Sequence, residues 1–338
     1  MNSNWRNFLQ QQDAVFDADR VLHFGNTAPG LPAGSPMAII ADLSGDYGLI
    51  AADGPEARSF LQGQLSTNVP ALTPTRSQFS SWSNVKGRVV TTLRVLDRDG
   101  HILLVLPKPL TARVLKRLSL YMLRAKVSLA DISDMLVQFG LAGTKATELL
   151  AACDLSAPSE INAVTNTQGV RLVRLHGATP RYAVIGEAPQ LQRLWTQLKD
   201  HGAYPAGSDT WTVLRTVAGE PELHPETSEH FVAQMLGLEE LGAVHFNKGC
   251  YLGQEVIARA HYRGAVKRHL HRAECNSTAI LRPGMEIQAT SDKQPVGEIV
   301  DACRDTSGEW QLLIVLKDES ISVPLRINGL SVHLISDD

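Results

Sequence analysis

The sequence predicts an α+β protein that ends in a small β-barrel, and two observations support this fold class. Up to residue 263, helix-like and strand-like segments follow one another without a regular β-α repeat. From about Lys267 onward, the chain changes to short apolar segments separated by Pro-Gly and Ser-Gly turns. With 338 residues, the chain is also longer than one hydrophobic core usually supports. We therefore expect an N-terminal helix and loop at 1–37, two α+β lobes at 38–263 and the barrel at 264–338.

The individual elements are predicted in chain order from periodicity and turn residues. A loop rich in Gly and Pro at 25–37 separates the N-terminal helix from a first strand near Ala38. A helix follows at 53–65, because Pro55 suits a first turn and the apolar residues after it share one face. Strand-like stretches at 88–97 and 101–107 flank a turn and predict a β-hairpin. The remaining predictions are a helix at 108–123, a strand at 135–139, a helix at 144–153, strands at 170–175 and 182–185, and a helix at 189–201.

Composition and short motifs exclude several classes of protein. The 32 basic and 35 acidic side chains give a formal charge of -3, so the chain lacks the overall positive field of a dedicated nucleic-acid binder. No apolar run approaches the roughly 20 residues of a membrane helix, and no secretory signal is readable, so we expect a cytoplasmic location. The four cysteines form no C-x-x-C pair and the histidines no H-E-x-x-H pattern, so no tightly bound metal is predicted. No dinucleotide fingerprint or P-loop follows a predicted strand.

The strongest functional signal is the segment Lys248-Gly249-Cys250-Tyr251-Leu252-Gly253-Gln254-Glu255. Its glycines permit a tight turn, and a lysine two residues from a cysteine can favour the reactive thiolate. A helix that begins near Gly253 would add its positive end to this effect. We therefore assign Cys250 and Lys248 as the candidate catalytic residues. In the alternative interpretation, Cys250 is a small buried hydrophobic residue and the residues after Gly253 only start a helix.

Several segments resemble the YgfZ family. KGCYLGQE is similar to the K-G-C-Y-x-G-Q-E signature of that family, and FLQGQLSTNV, KGRVVTTLRV, WTVLRTVAGEPEL and VGEIVDA resemble other family segments. The resemblance extends from about residue 43 to residue 316. It implies the fold of the glycine-cleavage T-protein, with ferredoxin-like mixed sheets and helices, a folate-binding region at 38–263 and a C-terminal barrel. It also implies a folate-binding accessory protein that supports iron-sulfur enzymes and tRNA modification.

The family resemblance also implies where a folate, such as tetrahydrofolate, would bind. The aromatic positions that contact the pterin in the family correspond to Tyr47 and Trp211, and Tyr47 replaces the expected tryptophan. Stacking should survive because tyrosine keeps a flat ring, although both residues can equally be core side chains. The other candidate folate-binding residues, several of them cations for the anionic glutamyl tail, are Gln64, Asn84, Lys86, Arg88 and Arg124.

A second group of cations lies near the C-terminal end of the central region. No acidic residue occurs between Glu255 and Glu274, and the basic residues of this stretch are Arg259, Arg263, Lys267, Arg268 and Arg272. A local positive field results despite the negative total charge. It can hold a polyglutamate tail or weakly contact RNA phosphates, or it can simply be a solvated strand edge protected by charge.

The T-protein reaction is not expected in this chain. T-protein relatives use an aspartate on the strand that follows an N-x-x-G turn, whereas here Thr91 and Thr92 occupy that region. A hydroxyl cannot supply the negative charge that such an aspartate offers to a cationic amine. The leading hypothesis is therefore an accessory factor acting through Cys250 on iron-sulfur client enzymes. The alternative is a tetrahydrofolate-dependent aminomethyl or methyl transferase that uses a different carboxylate, Glu255 or Glu220.

Overall fold

A computed structural model describes residues 1–25, 37–264, 266–290 and 294–335. The α+β fold class and the C-terminal β-barrel are confirmed. The loop predicted at 25–37 lies, for residues 26–36, outside the described residues. No helix in the described part of the chain is long and apolar enough to span a membrane.

The described residues form seven α-helices and nineteen strands. The helices are α1 Ser3–Gln11, α2 Ala57–Gln62, α3 Lys108–Ser119, α4 Ala146–Ala152, α5 Ala188–Asp200, α6 Ser208–Val217 and α7 Gln254–Arg263. The strands before the barrel are β1 Ala14–Asp17, β2 Arg20–Phe24, β3 Ala38–Asp42, β4 Tyr47–Asp53, β5 Gln78–Ser83, β6 Val89–Arg98, β7 His101–Pro107, β8 Ser128–Asp131, β9 Val137–Gly143, β10 Val164–Thr167, β11 Val170–Arg174, β12 Arg181–Gly186 and β13 Tyr204–Ala206. The barrel strands are β14 Arg268–Cys275, β15 Glu286–Ala289, β16 Pro295–Arg304, β17 Trp310–Lys317, β18 Leu325–Ile327 and β19 Leu330–Ile335.

An antiparallel five-stranded sheet has the order β5-β6-β7-β4-β8. The predicted hairpin is its centre: β6 and β7 pair up to Arg98 and His101, and the turn residues Asp99 and Gly100 both have positive φ. Two positive φ angles in a two-residue loop match the right-handed twist of the paired strands. Helix α3 packs on this sheet through buried leucine and valine side chains. It ends at Ser119, four residues before the predicted end of the helix.

A six-stranded sheet has the order β10-β11-β12-β9-β3-β13, in which only β13 pairs in parallel. Helices α1 and α5 cover one face through the packed rings of Trp5, Phe139 and Trp195. The indole nitrogen of Trp5 donates to the buried carboxyl of Asp42 at 2.6 Å. The N-terminal hairpin β1–β2 was not predicted from the sequence. The strand predicted at 135–139 begins later, as β9, and Met135 is exposed.

The C-terminal strands close into a six-stranded barrel of order β14-β17-β16-β15-β18-β19. Its interior is filled by aliphatic side chains of alternate strand positions, as expected for a small barrel. The short strand β18 was not predicted. Helix α6 packs against β16, and there the buried Arg215 forms an ion pair with Asp301 at 2.7 Å. The barrel is thereby joined electrostatically to the rest of the chain.

The two large sheets pack face to face through a shared apolar cluster. Ile39 and Ala183 of the six-stranded sheet lie in the same core as Leu49 and Leu103 of the five-stranded sheet, and Trp211 of α6 joins them. Where this core is interrupted by polar side chains, a cavity lies between the sheets.

Candidate functional site

A cavity between the two large sheets encloses about 600 Å³ of space between atoms, part of which is open to solvent. Strands β4, β6 and β7 supply one wall, strands β9 and β12 supply the other, and α6 with the segment after it closes one end. The polar and aromatic lining residues are Tyr47, Phe79, Thr92, Arg94, Gln138, Arg181, Trp211, Arg215, Glu220 and Glu222. An apolar slot with a few convergent polar groups is the usual form of a small-molecule site.

Both aromatic residues expected from the sequence line this cavity. Tyr47 begins β4, and Trp211 lies on α6 with only 3% of its surface exposed. Glycine at position 140 makes room for the indole, because a Cβ there would lie 2.3 Å from the Trp211 ring. The guanidinium of Arg181 lies 5.6 Å from the centre of the Trp211 ring. The indole is thus held between a strand backbone and a cation at the cavity wall.

Three buried arginines line the cavity, and each leaves one nitrogen without a hydrogen bond in the described structure. Arg181 donates to Glu220 at 2.8 Å and to the carbonyl of His176, but its Nη1 has no partner. Arg94 Nη2 lies 3.8 Å from Glu220, too far for a hydrogen bond, and Arg215 Nε is also unpaired. Buried donors are normally satisfied, so these three nitrogens call for acceptor atoms inside the cavity.

Glu220 is the counter-charge of two of these arginines. Burial raises its pKa, but the guanidinium groups of Arg181 and Arg94 outweigh burial and hold the pKa of Glu220 below its ordinary value. A carboxylate with a lowered pKa that is shared by two guanidinium groups is a weak base. We therefore assign Glu220 a structural role in placing the two arginines.

Glu222 is the second carboxylate of the cavity, and its surroundings differ. Burial raises its pKa, and the hydroxyl of Tyr47 faces it. The nearby Arg215 is committed to Asp301, whose pKa is held at about 2 because Arg215 and His224 outweigh the effect of burial. No periodicity or motif in the sequence assigns a role to Glu222, yet it lines the cavity together with Tyr47.

The threonines that stand in the region of the T-protein aspartate are both buried on β6. Thr92 lines the cavity, and its hydroxyl donates to the carbonyl of Pro221 at 3.1 Å. Thr91 donates to the carbonyl of Thr92 at 2.8 Å. Thr92 therefore ties β6 to the segment that carries Glu220 and Glu222.

Cys250 is exposed on the surface and does not line the cavity. It lies in the loop before α7, whose first residue is Gln254, and Gly253 takes the left-handed conformation at the helix N-cap. The exposed thiol excludes the alternative in which Cys250 is a buried hydrophobic residue. A reagent or partner can therefore reach the sulfur directly.

Lys248 clamps a neighbouring loop. Its ammonium donates to the carbonyls of Gln62, Leu65 and Thr67 at 2.6–2.8 Å, and it lies 4.7 Å from the centre of the Tyr251 ring. Burial lowers the pKa of Lys248 to about 8, so the amine still carries its proton at neutral pH. All three N–H bonds are used by carbonyls, so a hydrogen bond from Lys248 to a Cys250 thiolate would require one of them to break.

The turn at 84–88 packs against the cysteine segment. Asn84 accepts hydrogen bonds from the backbone of Lys86 and Arg88, and Gly87 lies against α7 so closely that an added Cβ would meet Val256 at 2.8 Å. Strand β6 continues from this turn to Thr92, four residues beyond Arg88, which corresponds to about 13 Å along a strand. One strand therefore connects the cavity with the cysteine segment.

The other residues assigned to folate do not line the cavity. Gln64 lies in the loop clamped by Lys248, Asn84 donates to Glu229, and Arg88 donates to the carbonyl of His230. Lys86 and Arg124 are exposed, and no ion pair is found for either within the described ranges. The structure thus brings Tyr47 and Trp211 together and leaves the five remaining residues outside the cavity.

The basic run spans α7 and the start of the barrel. Arg259 pairs with Glu255 within the helix at 2.8 Å, whereas Arg263, Lys267 and Arg268 form no ion pair with any residue that the structure describes. Tyr262 on the same helix is 65% exposed. Among the described residues, no group of three His, Cys, Asp or Glu side chains is placed to hold a metal ion.

Comparisons with known proteins agree with this architecture. No family model matches the sequence. The tRNA-modifying protein YgfZ of Colwellia psychrerythraea is 30% identical over 308 residues, which cover 89% of this chain and 92% of that protein. The YgfZ protein of Klebsiella pneumoniae is 28% identical and covers 81% and 84%. The chain belongs to the YgfZ family.

A solved structure shares the YgfZ-type fold of this chain. The glycine cleavage system aminomethyltransferase T from Bartonella henselae superimposes with a TM-score of 0.79, covering 100% of this chain and 97% of that one. Its sequence identity is 16%, so the likeness concerns the fold alone. The T-protein relationship implied by the sequence resemblance is confirmed at this level.

Arg181, Arg215 and Glu222 were not predicted from the sequence as site residues. The segment WTVLRTVAGEPEL, which resembles a YgfZ segment, could have indicated Arg215 and Glu222. Three charged residues, Arg215, Glu220 and Glu222, occur there within eight positions. Arg181 gave no such signal, because it begins a strand and meets Glu220 only in the folded chain.

The two glycines of the cysteine segment should respond differently to substitution. Gly253 has φ +80°, and a Cβ would lie 2.5 Å from the carbonyl oxygen of Asn84. We expect Gly253→Ala to lower the free energy of unfolding by about 2 kcal/mol or more, since a left-handed alanine alone costs about 1–2 kcal/mol. Gly249→Ala is the matched control because no atom lies within 4 Å of its added Cβ. Urea unfolding measures both, and equal stability of the two variants would contradict the packing of the turn against Gly253.

Proposed function

We propose that the chain binds a reduced folate, such as tetrahydrofolate, in the cavity and serves in the cytoplasm as an accessory factor for iron-sulfur enzymes that modify tRNA. The observation that carries the folate assignment is the set of unpaired nitrogens on Arg94, Arg181 and Arg215 beside an aromatic slot. A pterin is flat and carries ring oxygen and nitrogen acceptors, so it suits both features. The YgfZ relatives, named as tRNA-modifying proteins, support the assignment to tRNA modification.

The side chains that line the cavity match the ring and the acceptor atoms of a folate. Tyr47 and Trp211 line the cavity with aromatic surface for the pterin, and the arginine nitrogens offer donors to its acceptors. A bound reduced folate would supply a one-carbon carrier or a redox-sensitive ring at this place. The protein's own contribution is to orient the ring and exclude water from it.

The placement of the carboxylates disfavours the alternative role as a one-carbon transferase. Glu255 lies on α7, is exposed, pairs with Arg259 and does not line the cavity. Glu220 lines it but is held by two arginines with a lowered pKa. Neither carboxylate is placed as the free base that the transferase alternative requires.

We assign the reactive step of the accessory role to Cys250. Its thiol is exposed, whereas Cys275 and Cys303 are buried in the barrel and Cys153 is half-buried. Burial raises the pKa of the other three thiols, to about 12 for Cys303, which suppresses their thiolate forms at neutral pH. Cys250 is therefore the thiol most open to a client enzyme or its cluster.

Titration of tetrahydrofolate by anaerobic calorimetry tests the cavity assignment. We expect Trp211→Ala to weaken binding at least about tenfold and Trp211→Phe to weaken it less, because a smaller ring keeps part of the stacking. Cys250→Ala should bind as the unaltered chain does, because its thiol lies outside the cavity. Unchanged affinity in both Trp211 variants, with circular dichroism showing folded protein, would place the folate elsewhere.

Complementation tests the proposed role of the Cys250 thiol. In a bacterial strain that lacks its own YgfZ protein, Cys250→Ala should fail to restore iron-sulfur-dependent tRNA thiolation, with the level remaining that of the deletion strain. Cys153→Ala is the matched control and should restore it. Immunoblots confirm equal amounts of protein. Full rescue by Cys250→Ala would refute the role of this thiol.

We also propose that the basic run makes a weak contact with RNA. The unpaired side chains of Arg263, Lys267 and Arg268 and the exposed ring of Tyr262 support it, since phosphates bind cations and bases stack on aromatic rings. The double variant Arg263→Glu, Lys267→Glu should lose retention of tRNA on filters at low salt by about tenfold or more. The double variant Lys145→Glu, Lys199→Glu changes the charge equally at other surface sites and should retain it. Equal retention by both double variants, or none by the unaltered chain, would dismiss the contact.

A further inference from the structure

Glu222 differs from the other charged residues of the cavity because no arginine of the described residues donates a hydrogen bond to it. Its Oε2 lies 3.4 Å from Arg215 Nε, yet that nitrogen has no hydrogen-bond partner, so the contact is electrostatic only. The hydroxyl of Tyr47 faces Glu222, and no side chain of the described residues donates a hydrogen bond to this carboxylate. An ionised carboxylate has about four acceptor positions, so most of the capacity of Glu222 remains for a ligand.

Asp301 keeps Glu222 available. It forms an ion pair with Arg215 Nη2 at 2.7 Å and a hydrogen bond with His224 at 3.0 Å, and it lies on barrel strand β16 outside the cavity lining. Because Asp301 supplies the nearest counter-charge of Arg215, at 2.7 Å against 3.4 Å for Glu222, Glu222 is not needed for that purpose. A carboxylate with only 13% of its side chain exposed calls for donors, just as the unpaired arginine nitrogens call for acceptors.

The cavity therefore offers donors and acceptors side by side. Arg94 and Arg181 present unpaired N–H groups, and Glu222 presents oxygens, within one lining. The pyrimidine edge of a pterin has the complementary pattern, with the 4-oxo acceptor next to the N3–H and 2-amino donors. A ring with a 2-oxo group instead of the 2-amino group would place an oxygen against the carboxylate.

We propose that Glu222 is the specificity-determining residue of the cavity, and that its carboxylate accepts hydrogen bonds from the 2-amino group and N3–H of a pterin. The inference rests on the proposed folate-binding function and adds to it the atoms that are recognised. We assign Tyr47 as a positioning residue, since it lines the same cavity and its hydroxyl faces the Glu222 carboxylate. A site built to bond a polar group rejects the analogue that lacks it, because its own buried groups are then left unpaired.

Two ligands that differ at one ring position test this assignment. Equilibrium dialysis compares 6-methylpterin with 6-methyllumazine, which carries 2-oxo in place of 2-amino, at neutral pH, where the pterin keeps its N3–H. We expect the unaltered chain to prefer the pterin at least about tenfold, the factor that corresponds to about 1.4 kcal/mol. Glu222→Gln should lose this preference or reverse it, because an amide can donate to the 2-oxo group.

Control variants separate specificity from folding. Glu148→Gln changes an exposed carboxylate on α4 and should keep the preference. Tyr47→Phe retains the ring but loses the hydroxyl, and we expect a smaller preference for the pterin, which tests the assignment even if Glu222→Gln fails to fold. Preference retained in both Glu222→Gln and Tyr47→Phe, or absent from unaltered protein that binds tetrahydrofolate, would overturn this inference alone. Unaltered protein that binds no folate would overturn the proposed function with it.

Discussion

The burial of three guanidinium groups between two β-sheets is the constraint on which the cavity depends. Removing such a charge from water costs several kcal/mol unless counter-charges and hydrogen bonds surround it. The carboxylates that do so come from outside both sheets: Glu220 follows α6, and Asp301 belongs to the barrel. The barrel lines none of the cavity, yet without its Asp301 the charge of Arg215 would be poorly balanced. The barrel therefore supplies a charge that stabilises the cavity, although it does not line it.

The counter-charges balance the arginines without completing their hydrogen bonds. Each of the three leaves one nitrogen unpaired in the part of the chain that the structure describes. A ligand that supplies acceptors completes those bonds while the arginines are already held in place by Glu220 and Asp301. Groups held in place before binding lose little freedom when the ligand arrives, so the bonds contribute more of their strength to affinity.

Local patterns in the sequence were sufficient for much of the fold. Alternation and turn residues predicted the β6–β7 hairpin, and apolar periodicity predicted α5, because both depend on residues close in sequence. The strands β1, β2 and β18 were missed because each has five residues or fewer and little alternation to detect.

The candidate site was less accessible from sequence because its contacts join distant segments. The resemblance to YgfZ proteins placed Tyr47 and Trp211, whereas the pairing of Arg181 with Glu220, 39 positions apart, left no local trace. The contacts of Lys248 also could not be predicted from nearby residues. Its position two residues before Cys250 suggested a cation beside a thiol, but its ammonium donates to carbonyls more than 180 positions away.

The threonine at position 92 acts on the opposing segment of the cavity. The Thr92 hydroxyl donates to the carbonyl of Pro221, which lies between Glu220 and Glu222. An ionised aspartate has no proton to donate, so it could not form this bond. The threonine thus helps to hold both glutamates at the cavity, where one balances the arginines and the other keeps acceptors free. The cavity therefore has a neutral hydroxyl at position 92 and two carboxylates on the opposing segment, an arrangement that suits the proposed binding of a ring.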